Sequence, residues 1–254
     1  MVLQIRTALL RTNMTFCVGI KVRQGVVALA DTQIVRGSEQ VSKQKLSILN
    51  HADDSLFVMT SGLRSVRDKS LIYLSEQLNQ QQQPMDRLFR VVNLFGDQLR
   101  KVREEDGASL AAAGLSWNPH AIIGGRLHGD LSPQLFFVYP EGNWIESVAD
   151  SPYFIIGRTH YGKPILDRLL TFETPLRSAV ALALLAFDAT RTSVTDVECP
   201  IDVAVIAEGH RHATFQRFSG EEISSVTQWW SQTLSQSLAS MPMDWAANLF
   251  QNAF

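Results

Sequence analysis

Residues 15 to 31 read T-F-C-V-G-I-K-V-R-Q-G-V-V-A-L-A-D (Thr15 to Asp31). Thr15 to Val22 is rich in β-formers, Arg23-Gln24-Gly25 has turn composition, and Val26 to Asp31 is almost wholly apolar. A short continuous apolar run bounded by a turn is the pattern of a strand buried on both faces. Folding the chain about Gln24-Gly25 sets Asp31 opposite roughly Cys17 or Val18. Thr15 and Cys17 project from one face of their strand. Asp31 is thus expected one or two residues along the ladder from Thr15, about 5 to 8 Å away.

Reading outward, Lys45 to Leu49 and Leu56 to Thr60 are two more expected strands, joined by a turn at residues 50–54. The period then changes to helical. Val66 to Leu78 and Met85 to Val102 place apolar residues three and four apart, as in Leu88, Val91, Val92, Phe95 and Leu99. A polar connection of Asn79, a glutamine run and Pro84 separates these helices, and Gly107 fits a helix stop. Strands return at Ala121 to Leu127, Gln134 to Tyr139, Asn143 to Val148 and Tyr153 to Ile156. A second helical pair follows, from about Lys163 to Leu170 and from an N-cap at Thr174 to about Ala189. Two last strands, Ile201 to Ala207 and His212 to Phe218, precede a helical region from about Glu221. Two helical pairs separated by strands fit as outer layers on two packed sheets, an α+β arrangement. With no internal repeat and no linker, residues 15–254 read as a single domain.

The chain has 254 residues, a formal net charge of -2 and 45% hydrophobic residues. That is the composition of an ordinary globular protein, and its charge offers no electrostatic case for nucleic acid. No run approaches the roughly 18 to 20 apolar residues that span a bilayer, so no membrane role is expected. Cys17 and Cys199 are the two cysteines, too few for a disulfide framework, and reduced thiols in the cytoplasm are the default. Residues 1–14 make a poor signal peptide. They read as a misassigned start before Met14, or as a short propeptide.

Beyond the opening hairpin, a lysine stands in K-L-S-I-L (Lys45 to Leu49), and T-S-G (Thr60 to Gly62) leads into a helix. This set resembles the proteasome β-subunit pattern: a nucleophilic Thr, an Asp after the second strand, a Lys in the third, and a Gly at a strand-to-helix turn. S-P-Y-F-I-I-G-R-T-H-Y-G-K-P-I-L-D-R (Ser151 to Arg168) and C-P-I-D-V-A-V-I (Cys199 to Ile206) are similar to the bacterial Anbu (ancestral β-subunit) subfamily. The resemblance implies a four-layer αββα sandwich, the N-terminal-nucleophile (Ntn) hydrolase fold. It implies a threonine peptidase that needs no cofactor and acts on peptide or unfolded protein. It also implies a homo-oligomer, as a ring or an open helical assembly, which an ATPase could feed although no residue names one. By resemblance, Ser193, Thr195 and Asp196 orient the amino group of the nucleophile, and Ile34, Thr60 and Arg64 line the specificity pocket. The loop departs from the usual D-x-x-S-G, reading S-V-T-D-V-E, and Arg158 or Thr159 stands where many β-subunits place a serine.

The chemistry follows from the residues as well. A threonine hydroxyl is a weak nucleophile and needs a base. If Thr15 is the first residue, its own α-amine, of pKa about 8, can serve. A cation at Lys45 lowers that pKa by disfavouring the protonated form, and Asp31 holds Lys45 in place. The Gly62 N–H, at a helix start and unobstructed by a side chain, is the candidate oxyanion donor.

Each residue has a plainer reading. Thr15 is a β-former, Asp31 a strand terminator, Lys45 a solvated strand edge, and Gly62 a turn residue. Only the set points to catalysis. Cys17 reads as a packing residue. His210 and His212 alternate on an expected strand but lack further ligands for a metal. The tryptophans Trp229, Trp230 and Trp245 read as packing between subunits or onto the core. Two rivals stay open: an Ntn amidase for a non-protein amide, and a scaffold that keeps the fold with weak or absent turnover.

Overall fold

Every residue of Gly25–Asp31 is buried, which makes this strand the centre of its sheet. The computed structural model describes residues 15–36, 39–42, 44–81 and 85–250. The expectation for residues 1–14 lies outside them, as do Gln82, Gln83 and Pro84 of the glutamine-rich connection. Strands β1 (Phe16–Val22), β2 (Gly25–Asp31), β10 (Tyr153–Gly157), β11 (Ile201–Ala207) and β12 (Thr214–Phe218) form one antiparallel sheet in the order β10-β1-β2-β11-β12. Strands β5 (Leu46–His51), β6 (Asp54–Ser61), β7 (His120–Gly125), β8 (Gln134–Val138) and β9 (Trp144–Glu146) form the other, in sequence order.

The pleat distributes side chains between layers. Cys17, Val26, Ala28 and Ala30 from the first sheet meet Leu46, Phe57, Met59 and Ile122 from the second in one core. The alternate residues Leu56, Val58, Ala121 and Ile123 face outward. They pack with Val66, Leu74, Val91, Val92, Phe95 and Leu99 from α1 (Arg64–Gln80) and α2 (Leu88–Ala112). On the other side, Phe16 meets Phe187 at a ring distance of 6.2 Å. Phe187 lies on α4 (Leu176–Arg191), which packs beside α3 (Thr159–Leu169). The layers are therefore helices, sheet, sheet, helices, the expected four-layer αββα sandwich. At the described helices, none is long and apolar enough to cross a membrane.

These layers belong to a compact unit that ends at Ser219; a second unit begins at Gly220. The second holds α5 (Gly220–Ala239), where the rings of Trp229 and Trp230 lie 6.2 Å apart, and α6 (Ala247–Phe250).

Local readings need correction at several points. Gly107 does not stop a helix: α2 runs on to Ala112, because Leu110 still packs against the core, and tertiary packing outweighs the roughly 1 kcal/mol cost of an interior glycine. The stop is Gly114, at φ +69°. There Gly114 N–H donates to Ala111 O and Leu115 N–H to Leu110 O, a glycine-terminated helix end. Thr174 is not the N-cap of α4; Pro175 is, and the Thr174 hydroxyl accepts from Thr171 N–H instead. His210 and His212 precede β12 rather than lying on it. An unexpected hairpin, β3 (Gln33–Arg36) with β4 (Glu39–Ser42), contains Ile34. The pairing of Cys17 with Ala30 puts Asp31 beside Phe16, one or two residues nearer the chain start than expected.

His51 ends β5 buried, and its Nε2 accepts the Met85 N–H at 2.7 Å. Burial holds its pKa below the ordinary value, with Asp54 opposing. A histidine depressed in the fold adds stability above its unfolded pKa of about 6.5 and loses it as pH falls toward the folded value. The unfolding midpoint of wild type is therefore expected to drop between about pH 7.5 and 5.5 by more than that of His51→Gln, which keeps an acceptor but does not titrate; urea titrations at each pH check this.

Candidate active site

Alternation along β2 places Val26, Ala28 and Ala30 in the inter-sheet core and would turn Asp31 to the other face. At the strand end its carboxylate is instead gathered by donors from three sides. Phe16 N–H donates to Oδ1 at 2.7 Å, the Thr15 hydroxyl at 3.1 Å, and Lys45 Nζ reaches both oxygens at 2.8 Å. Thr15, Asp31 and Lys45 are all buried, the carboxylate completely. Burial pushes the Asp31 carboxyl up, while Lys45, Phe16 N–H and the Thr15 hydroxyl all favour its ionised form. Lys45 immediately precedes β5, so the ion pair joins one sheet to the other.

Thr15 is also fixed by its backbone. Its carbonyl accepts the Arg158 N–H at 2.9 Å. Gly157, at φ +94°, lies so close that a Cβ there would meet the Thr15 carbonyl oxygen at 1.9 Å; only glycine admits this approach. Cys17 Sγ stands 3.8 Å from Thr15 Oγ1, and burial pushes its thiol up to about 11. It is therefore protonated at neutral pH and a poor nucleophile.

The remaining anticipated residues divide. Asp196 is buried and held by the Arg158 guanidinium, with Nε at 3.1 Å from Oδ2. It thereby reaches the residue whose N–H holds Thr15. Ser193 does not join the cluster: it is exposed, and its hydroxyl donates to Ala189 O at the end of α4. Thr195 is exposed in the same loop. Gly62 follows β6 at φ +95°, packed on the backbone of Asn118 and Pro119. Thr60 is buried, and its hydroxyl accepts from Arg67 Nε at 3.0 Å. Arg64 is exposed and pairs with Asp68, one turn along α1, at 3.1 Å. Ile34 has its backbone in β3. Two residues escaped the sequence reading. Arg67 falls on the buried stripe of α1 with Ser70, Leu74 and Leu78, a helical spacing that could have marked it, but its charge and its neighbours Asp68 and Lys69 point to solvent. Arg158 was noted only as a departure, and its pairing with Asp196 spans 38 positions.

Among the described residues no group of His, Cys, Asp or Glu is arranged to hold a metal, and both cysteines are free. What remains is a hydroxyl, a carboxylate and an ammonium in one buried contact. That is suited to raising the reactivity of an oxygen nucleophile once a base lies beside it.

A profile of the proteasome subunit family matches residues 12–206. Among solved structures, Anbu (ancestral β-subunit) from Yersinia bercovieri has a TM-score of 0.82 at 26% identity, covering 89% of this chain and 97% of that one. A Gly-1 mutant of Anbu from Hyphomicrobium sp. strain MC1 has a TM-score of 0.82 at 29% identity, covering 90% and 98%. The helical assembly of the Anbu complex from Pseudomonas aeruginosa gives 0.82 at 27% identity, covering 89% and 97%. No curated protein matches significantly.

Removing one partner of a buried ion pair strands the other charge. Lys45→Met is expected to lower unfolding free energy by about 3–5 kcal/mol. Adding Asp31→Leu should recover part of that loss, so the double variant is more stable than the sum of the two single changes. Urea unfolding of the four proteins measures the coupling, and simple additivity would show that the pair contributes nothing as a unit.

Proposed function

The chain belongs to the proteasome subunit family, and from that premise we propose that it is a threonine peptidase subunit whose nucleophile is Thr15. The observation that carries the reading is the buried contact of Thr15 Oγ1, the Asp31 carboxylate and Lys45 Nζ, at 3.1 and 2.8 Å. With Thr15 as the first residue, its α-amine takes the hydroxyl proton as Oγ1 attacks a peptide carbonyl. The Lys45 charge keeps that amine neutral, and Asp31 anchors both partners. The Gly62 N–H, at the junction of β6 and α1, receives the developing oxyanion. The protonated amine passes its proton to the leaving amine, leaving an ester on Thr15. Water, deprotonated by the same amine, releases the acid and restores the hydroxyl.

The same reading extends to surroundings. The Arg158 N–H holds the Thr15 carbonyl from the β10 side and Asp196 holds the Arg158 guanidinium; Arg158 or Thr159 stands where many β-subunits place a serine. The Anbu complex of Pseudomonas aeruginosa forms a helical assembly, which supports homo-oligomerisation here, as a ring or open helix. Peptide or unfolded protein is the substrate class, and the cytoplasm is the compartment that suits two free cysteines.

Intact mass decides the premise. The purified protein is expected to begin at Thr15, because an acylated nitrogen is no base; a chain retaining residues 1–14 would falsify the mechanism and favour a scaffold role. Thr15→Ala should lower hydrolysis of fluorogenic peptide amides by at least about a thousandfold, whereas Thr15→Ser should remain within about tenfold of wild type. Turnover of non-peptide amides alone would move the assignment to an amidase.

A further inference from the structure

Arg67 lies in the first turns of α1 with only 6% of its surface exposed. Its guanidinium donates to two neutral oxygens, Thr60 Oγ1 at 3.0 Å and Gln44 O at 3.3 Å. No carboxylate is recorded within ion-pair distance of it among the described residues. A buried cation served by neutral acceptors is costly to keep. Burial accordingly lowers its pKa, while Cys17, Asp68 and Asp31 raise it and Arg64 lowers it further.

Both hydrogen bonds converge on Lys45. Gln44 is the preceding residue, and Lys45 O accepts the N–H of Thr60 at 3.1 Å. The carbonyls on either side of the Lys45 Cα are thus tied to Arg67, one directly and one through Thr60. Lys45 lies outside the β5 ladder, which starts at Leu46, so these bonds set the direction in which its side chain leaves. The charge itself also counts, because the two bonds that hold the guanidinium keep it on the Lys45 side of the site; it favours the ionised form of Cys17, whose sulfur is 3.8 Å from Thr15 Oγ1.

We propose that Arg67 is a positioning residue for the Thr15 centre: it aims Lys45 at Asp31 and adds a second buried positive charge on the Lys45 side of that centre. This rests on the reading of Thr15 as an amine-assisted nucleophile. Among the described residues, the charged or titratable groups tied to Thr15 or its partners are Asp31, Lys45, Cys17 and the Arg158–Asp196 pair. His120 and Arg67 line one narrow gap with Phe95 and Leu99, too tight to hold a water molecule. Holding these constant, loss of the Arg67 charge favours the protonated amine and moves its titration to higher pH.

The test is the rate at which a peptide epoxyketone forms its Thr15 adduct, followed by intact mass from about pH 5.5 to 9, with Thr15→Ala as blank. Arg67→Met is expected to move the acid-limb midpoint up by about one pH unit, roughly a tenfold slower rate on that limb. Arg67→Lys keeps the charge but not the forked pair of bonds. It should hold the wild-type midpoint and lower the plateau, by about three- to tenfold. A purely structural clamp would lower plateaus without moving the midpoint of Arg67→Met, and that result overturns the proposal. Should Arg67→Met fail to fold, Arg67→Lys decides alone, and a wild-type plateau there overturns it. If wild type forms no adduct, the Thr15 reading itself fails and takes this inference with it, a result distinct from an active wild type with unshifted variants.

Discussion

The structure depends on one buried ion pair that joins two sheets. Asp31 closes β2 in the first sheet, and Lys45 introduces β5 in the second. Their side chains are 0% and 2% exposed. Two charges so placed are tolerated only if they meet and if their remaining lone pairs and protons are used. The carboxylate satisfies this with bonds from Phe16 N–H and the Thr15 hydroxyl as well as from Lys45. The requirement therefore fixes the separation of the sheets at this end. It also brings Thr15, at the approach to β1, against the Asp31 carboxylate.

Around that pair the charges are ordered by layer. Arg67 comes from the helix layer over the second sheet, and Arg158 from the junction of β10 with α3 on the first. Asp196, in the loop before β11, neutralises Arg158, whereas Arg67 bonds to neutral oxygens. The centre is thus richer in positive charge on the side of Lys45. On the proposed mechanism, such a field favours a neutral amine and an oxyanion that develops near it. Cys17, although it touches Thr15, is kept as a thiol by burial and serves as core.

Residues from both ends of the αββα unit contribute to this arrangement, yet relatives at 26–29% identity reach TM-scores of 0.82. The layers tolerate substitution because they rest on alternation: Leu56 and Val58 outward, Phe57 and Met59 inward. Any apolar residue of fitting volume sustains that pattern. Gly157 has no such latitude, since its closeness to the Thr15 carbonyl excludes a side chain.

The chain alone determined the hairpin of β1 and β2 and the helical pairs, and it singled out Thr15, Asp31 and Lys45, which the fold brings into contact. Local periodicity and motif spacing carry those, because each arises within a few residues or at a fixed distance along the chain. Local signals misplaced the end of α2 at Gly107 and the cap of α4 at Thr174, where packing and neighbouring hydroxyls decided otherwise. The hairpin register was legible only to within two residues, since the turn does not by itself choose which residue faces Phe16. What tertiary structure alone decided is which polar groups share a buried space. Arg67 looks like any basic residue of a surface helix until Thr60 and Gln44 close over it. Ser193 looks like a site residue until the end of α4 takes its hydroxyl. Asp196 meets Arg158 across a sheet junction that no spacing announces. Burial and hydrogen-bond satisfaction are properties of the folded whole, and a one-dimensional pattern does not contain them.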